Sequence, residues 1–171
     1  MIRIVRGRVT EVKAEALLRE ARPDGGPLTP SGRIFFEALG PEGAHLLQLH
    51  DAPPGSAWIT PAGSLSASFL IHLVVQSGDE PVTVESVRRA LTNGLRRAAA
   101  FGIESVALTP LGIGAGNLDA ETSAEVMVTV LVAHLEHDAA PRVFELVVGT
   151  EYEEDIFRRA AERHASPNRP S

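Results

Sequence analysis

The chain has 171 residues, 44% of them hydrophobic and 22% charged, which suits one domain with a sizeable core. A net charge of −6 argues against non-specific binding to duplex nucleic acid, and the absence of cysteine excludes disulfides, thiolate zinc sites and a cysteine nucleophile. No apolar run approaches the roughly 18 residues of a membrane span, and the N-terminus lacks the apolar core of a signal peptide. A cytoplasmic, bacterial-type protein without contact to a membrane is therefore expected.

Ile2–Val5 alternates as a first strand. Ala14–Arg22 is ambiguous: Ala, Glu, Leu and Arg favour helix, yet Ala16-Leu17-Leu18 reads equally as a short buried strand. Pro23-Asp24-Gly25-Gly26-Pro27 ends whichever it is. Ser31 is placed to cap a helix carrying Ile34, Phe35, Ala38 and Leu39, and Gly40-Pro41 breaks that helix before a second piece over Glu42–Leu49. Ala57–Thr60 is a short strand, and Phe69–Val75 is apolar almost throughout, as a central strand covered on both faces would be. Thr83 caps a helix with Val84, Val87, Leu91, Leu95 and Ala98 on one face, which Gly102 stops. Ser105–Leu108 is the next strand. Asp119 then caps a helix over Ala120–His137, Phe144–Val148 is a last strand, and Tyr152, Ile156, Phe157 and Ala160 mark a final amphipathic helix. Residues 1–163 are read as one domain and 164–171 as a flexible tail. Strands alternating with helices imply a three-layer α/β/α sandwich around a mixed, mostly parallel sheet. Ligands in such folds sit at the carboxyl ends of the strands.

One such end carries Pro110-Leu111-Gly112-Ile113-Gly114-Ala115-Gly116-Asn117, between a strand and a capped helix. Glycines let a backbone approach closely, and N–H groups in such a turn can face an anion. The histidines show no helical i, i+4 ligand spacing, since His134 and His137 are three apart and mark a solvated helix end. No metal and no cofactor is expected.

Three stretches together resemble the macro domain family. Gly55-Ser56-Ala57-Trp58-Ile59-Thr60 through Gly63-Ser64-Leu65, with Ile71-His72-Leu73-Val74, is similar to the family's Gly-x-Ala-x-x-Thr…Gly-x-Leu segment and its following strand. Val106–Asp119 is similar to its strand and phosphate loop. Ser31–Gly40 resembles the helix after its first glycine loop. The match runs in order over most of residues 2–160.

The resemblance implies binding of ADP-ribose or a related phosphorylated small molecule. It also implies departures from the family pattern. Where the family has Gly-Asp-Ile-Thr, with the Asp accepting from adenine, this chain has Gly7-Arg8-Val9-Thr10, and Arg8 has no acceptor. Where the family has Asn-Ala-Ala-Asn, this chain has Arg19-Glu20-Ala21-Arg22, and the following glycine loop is reduced to Gly25-Gly26. An aromatic that would pack on adenine is replaced by Gly149. Tyr152 is expected to pack on the sheet, His72 to be structural, and Arg19, Arg22 and Arg33 to be solvent-exposed. Glu20 is expected to be solvated and Asp24 to serve its turn.

The ligand-binding set that follows is Arg8 and Val9 after the first strand, Gly25, Gly26 and Gly32 before the first helix, and Gly112, Ile113, Gly114, Ala115, Gly116 and Asn117 in the phosphate loop. No catalytic residue is assigned. A binding module is the preferred reading. An ADP-ribosyl or O-acetyl-ADP-ribose hydrolase, and a degenerate domain acting through protein contacts or as a homodimer, stay open as alternatives.

Overall fold

Six strands form one sheet in the order β1-β6-β5-β2-β4-β3. They are β1 (Ile2–Arg6), β2 (Ala16–Ala21), β3 (Ala57–Pro61), β4 (Phe69–Val74), β5 (Ser105–Leu108) and β6 (Val143–Val148). The helices are α1 (Arg33–Gln48), α2 (Val84–Ala100), α3 (Ala120–Glu136) and α4 (Glu151–Ala165). The computed structural model describes residues 1–28, 32–48, 52–78, 80–114, 117–137 and 140–165, with backbone alone at 44 and 46–48. The helix cap expected at Ser31 and most of the expected tail lie outside those residues. Every strand pair is parallel except β3 with β4, the antiparallel edge. The expected mixed, mostly parallel sheet in an α/β sandwich is the fold observed.

The ambiguous segment resolves as β2, in the middle of the sheet. Leu17 pairs with Leu70 of β4 on one side and with Ala107 of β5 on the other. Ala16, Leu17, Leu18 and Ala21 are fully buried. Helix propensity favours these residues by only a few tenths of a kcal/mol each, roughly, and a strand covered on both faces outweighs it.

The two faces of the sheet are covered unequally. Helices α2, α3 and α4 pack on Leu18, Ile71, Leu108, Leu146 and their neighbours to make the larger core. On the other face α1 sets Phe35 and Leu39 against Leu17, Leu70, Val74 and Trp58. Helix α2 begins with a reciprocal cap: Thr83 Oγ1 accepts the N–H of Ser86 at 3.0 Å, and Ser86 Oγ accepts the N–H of Thr83 at 3.1 Å. Asp119 Oδ1 accepts the N–H of Thr122 at 2.7 Å at the start of α3, and hydrogen bonding from the Thr122 side chain and backbone holds its carboxyl below the ordinary range. The break expected at Gly40-Pro41 is a kink inside α1, where Gly40 has φ 67°. Tyr152 departs from expectation. It is 61% exposed on α4 and its hydroxyl donates to Glu121 at 2.9 Å instead of packing on the sheet.

The β3–β4 hairpin docks on α1 through its backbone. Ser64 N–H donates to the carbonyl of Ala38 at 3.0 Å. A Cβ on Gly63, whose φ is +61°, would lie 2.0 Å from that same oxygen. Gly63→Ala therefore combines left-handed backbone strain with a clash against main chain that cannot move without shifting α1. We expect it to lower stability by at least about 2 kcal/mol in denaturant unfolding. A loss under about 0.5 kcal/mol would contradict the docking.

Candidate functional site

Strands β1, β6, β5 and β2 are adjacent and parallel, so their carboxyl ends share one edge of the sheet. A cleft of about 410 Å³ lies along that edge. Gly7, Arg8 and Val9 line it from β1, Glu20 from β2, Thr109, Pro110 and Ile113 from β5, and Gly149 from β6. Gly32, Ile34 and Phe35 close it from the start of α1, and Glu153 from α4. Of the residues expected at a ligand, Arg8, Val9, Gly32 and Ile113 meet here. Gly25, Gly26, Gly112, Gly114 and Asn117 do not line it, and Ala115 and Gly116 lie outside the described residues.

The loop after β5 is anchored from beneath. Leu111 is fully buried, and its carbonyl accepts from Ser123 Oγ of α3 at 2.6 Å. Gly112 takes φ +79° to turn the chain outward, and its carbonyl accepts the N–H of Leu118 at 2.8 Å. The side-chain oxygen of Asn117 accepts the N–H of Val82 at 3.2 Å, which ties the loop to the segment before α2.

The floor under the cleft is polar, and the sequence reading missed it. Arg19 was expected in solvent, but it is 2% exposed. Its register partner on β4 is His72, itself fully buried. Arg19 Nε donates to His72 Nδ1 at 2.8 Å. With Nδ1 accepting, the imidazole is neutral and its proton sits on Nε2, which donates to Thr60 Oγ1 at 2.7 Å. Trp58 stacks on the imidazole with ring centroids 5.4 Å apart. The remaining guanidinium nitrogens of Arg19 donate to the carbonyls of Gly25, Gly26 and Glu20. Burial pushes the Arg19 pKa down to about 10, with Asp24 opposing. Arg22 and Arg33 are exposed as expected. Asp24 serves its turn, accepting the N–H of Gly26 at 2.9 Å.

Glu20 is the second correction. It is largely buried at the end of β2, and its carboxylate accepts the N–H of Gly112 in the loop after β5. Burial pushes its pKa up to about 7, against the opposing pull of the Gly112 N–H. Glu153 makes the equivalent contact one strand over, accepting from Gly149 N–H at 2.8 Å and Thr150 N–H at 3.3 Å. A Glu ending an apolar strand was the available signal for Glu20. Nothing in sequence pointed to Glu153, because the contact depends on where α4 starts. Arg8 extends into solvent at the rim, 3.6 Å from Glu11. Among the described lining residues Phe35 is the only aromatic. No group of acidic and histidine residues able to hold a metal occurs among the described residues.

Glu20 has a signed effect on stability. Its carboxyl titrates near 4.5 when unfolded and near 7 when folded. The native state thus holds the proton longer, and stability falls as pH rises between those values. Glu20→Gln removes that dependence. We expect the variant's advantage over the wild type to grow by a few kcal/mol, about 3 at most, between pH 5 and pH 8 in urea unfolding. An advantage independent of pH would contradict the burial of this carboxylate.

A family model described as Macro domain matches residues 35–127, more than half of the chain. An O-acetyl-ADP-ribose deacetylase of Citrobacter rodentium is 29% identical over 168 residues, which cover 92% of this chain and 93% of that one. Among solved structures, the Oceanobacillus iheyensis macrodomain with ADP superposes with TM-score 0.83 at 17% identity, covering 95% of this chain and 90% of that one. The Trypanosoma brucei macrodomain in complex with ADP-ribose gives 0.80 at 16% identity, over 92% and 68% of the two chains. The strand order, the cleft at the strand ends and these matches lead to one assignment: the chain belongs to the macro domain family.

Proposed function

We propose that this macro domain binds a phosphate-bearing small molecule of the ADP-ribose class in the cleft, as a binding module. The observation that carries this reading is the cleft itself. It sits at the carboxyl ends of four parallel strands, with a glycine-turned loop on one wall and the start of α1 on the other. The N–H groups of Ile113 and Gly114 have no acceptor among the described residues. Donors of this kind in a loop leading to a helix suit phosphate oxygens. The related structures that hold ADP and ADP-ribose share this fold.

In this reading Arg8 and Val9 take one end of the ligand, Gly32 faces it from just before α1, and the loop after β5 meets the phosphates at Ile113. Gly25 and Gly26 act from below by shaping the turn that Arg19 holds. Binding without hydrolysis is supported by the residues at the end of β2. Arg19 and Arg22 stand where the resemblance expects Asn, and Arg19 is engaged by His72 and the turn carbonyls. One observation favours the hydrolase reading instead: Glu20 brings a carboxyl that is partly protonated near neutrality to the cleft.

Calorimetric titration with ADP-ribose tests the proposal. One-to-one binding in the micromolar range is expected, and O-acetyl-ADP-ribose should persist unhydrolysed in the protein's presence. Ile113→Glu places a negative charge on the loop beside the cleft. It should weaken binding at least about tenfold while leaving Tm within about 2 °C of wild type, as a half-exposed position allows. Absence of binding at millimolar ADP-ribose would overturn the proposal. Turnover of the acetyl ester would move it to the hydrolase.

A further inference from the structure

We infer that Glu20 is the specificity-determining residue of the cleft: a built-in carboxylate seated on the glycine loop that makes binding of an anion conditional on its own protonation. The inference rests on the binding reading above and adds the terms on which the cleft accepts charge.

The geometry comes from strand adjacency. Glu20 is the penultimate residue of β2, and Gly112 lies in the loop after β5, the parallel neighbour of β2. The Glu20 carboxylate therefore reaches the Gly112 N–H directly and lines the cleft from there. The next residue, Ile113, also lines the cleft. An anion seated on this loop would stand within a few ångströms of the carboxylate. Two like charges that close, partly withdrawn from water, repel strongly.

Among the described residues no cation forms an ion pair with the Glu20 carboxylate. Arg19, beside Glu20 on β2, is a cation that also lines the cleft, but its guanidinium turns to His72 and the carbonyls of the following turn, and the charge acting on it is that of Asp24. His72 on β4 accepts from Arg19 and is neutral. Arg8 at the rim is mostly in solvent near Glu11. Glu153 on α4 adds a second carboxylate, seated on Gly149 and Thr150. Residues 109–114 carry no ionisable side chain, Ile34 and Phe35 of α1 are apolar, and Arg33, between the lining residues Gly32 and Ile34, is exposed to solvent. Protonation of Glu20 is then the local route to neutralising the loop. Its raised pKa, about 7, puts that step in an accessible range. Binding an anion raises it further, so binding is accompanied by net proton uptake.

The test is titration with ADP-ribose between about pH 6 and pH 8, in buffers of different ionisation enthalpy. The diphosphate carries constant charge in that range, so the ligand does not titrate. For a rise of about one pKa unit on binding, wild-type affinity should fall about fivefold from the acid to the alkaline end, with uptake of about half a proton near the middle of the range. Glu20→Gln keeps the shape and removes the charge. Its affinity should be flat with pH and match the wild type at pH 6. Glu20→Ala also uncovers the Gly112 N–H and should bind at least as tightly. Glu153→Gln should keep the wild-type slope. Binding by the Glu20 variants alone would also support the inference. Wild-type binding with no pH dependence, or a slope retained in Glu20→Gln, would overturn it while leaving the binding reading in place. Failure of the wild type and both Glu20 variants at every pH would remove the ADP-ribose reading and this inference together.

Discussion

A guanidinium buried in the middle of a sheet has to be hydrogen-bonded on all its nitrogens, and meeting that requirement organises this site. An unpaired buried cation costs several kcal/mol, roughly, and an unpaired N–H about 1–3. Arg19 meets it through His72 on the neighbouring strand and through the carbonyls of the turn that follows its own strand. The first contact requires a neutral imidazole with Nδ1 open, which Thr60 secures by accepting from Nε2. The second holds the turn at Gly25 and Gly26 against the end of β2. The floor of the cleft is thus a polar network clamped between two layers of apolar packing, with Trp58 stacked on its imidazole.

Much of the fold was legible because its signals are local. Caps at Thr83 and Asp119 and the stripe through Val87, Leu91 and Leu95 are sequence facts with immediate structural consequences. The segment around Leu17 was ambiguous, with a buried strand and a helix both open. Its helix propensity is real, and only neighbours far along the chain, at Leu70 and Ala107, make it a strand. The same limit governs the site. Arg19 and Glu20 read as surface residues in isolation. Arg19 becomes a core residue once β4 brings His72 beside it, more than fifty positions away. Glu20 becomes a cleft residue once β5 places Gly112 next to β2. The loop residues were readable as a motif, yet which of their N–H groups remain available depends on a carboxylate that the motif does not contain.

That carboxylate belongs to a pattern. Glycine-rich turns at strand ends direct N–H groups outward, and such groups need acceptors. After β5 the acceptor is Glu20, and after β6 it is Glu153. Each loop therefore has an internal anion that stabilises its conformation without a ligand. In the proposed reading, preorganisation of this kind would lower the ordering cost of binding. In that reading it would also set a charge barrier at the same place. The two effects oppose each other for an anionic ligand while Glu20 is ionised, and they act together once it is neutral, because a protonated carboxyl still accepts from Gly112 through its carbonyl oxygen. The shape of the loop and the charge at its base are thus separately adjustable in this fold. In the proposed reading, a substitution of Glu20 that keeps an acceptor for the Gly112 N–H would change the charge a ligand meets and retain the contact that holds the loop.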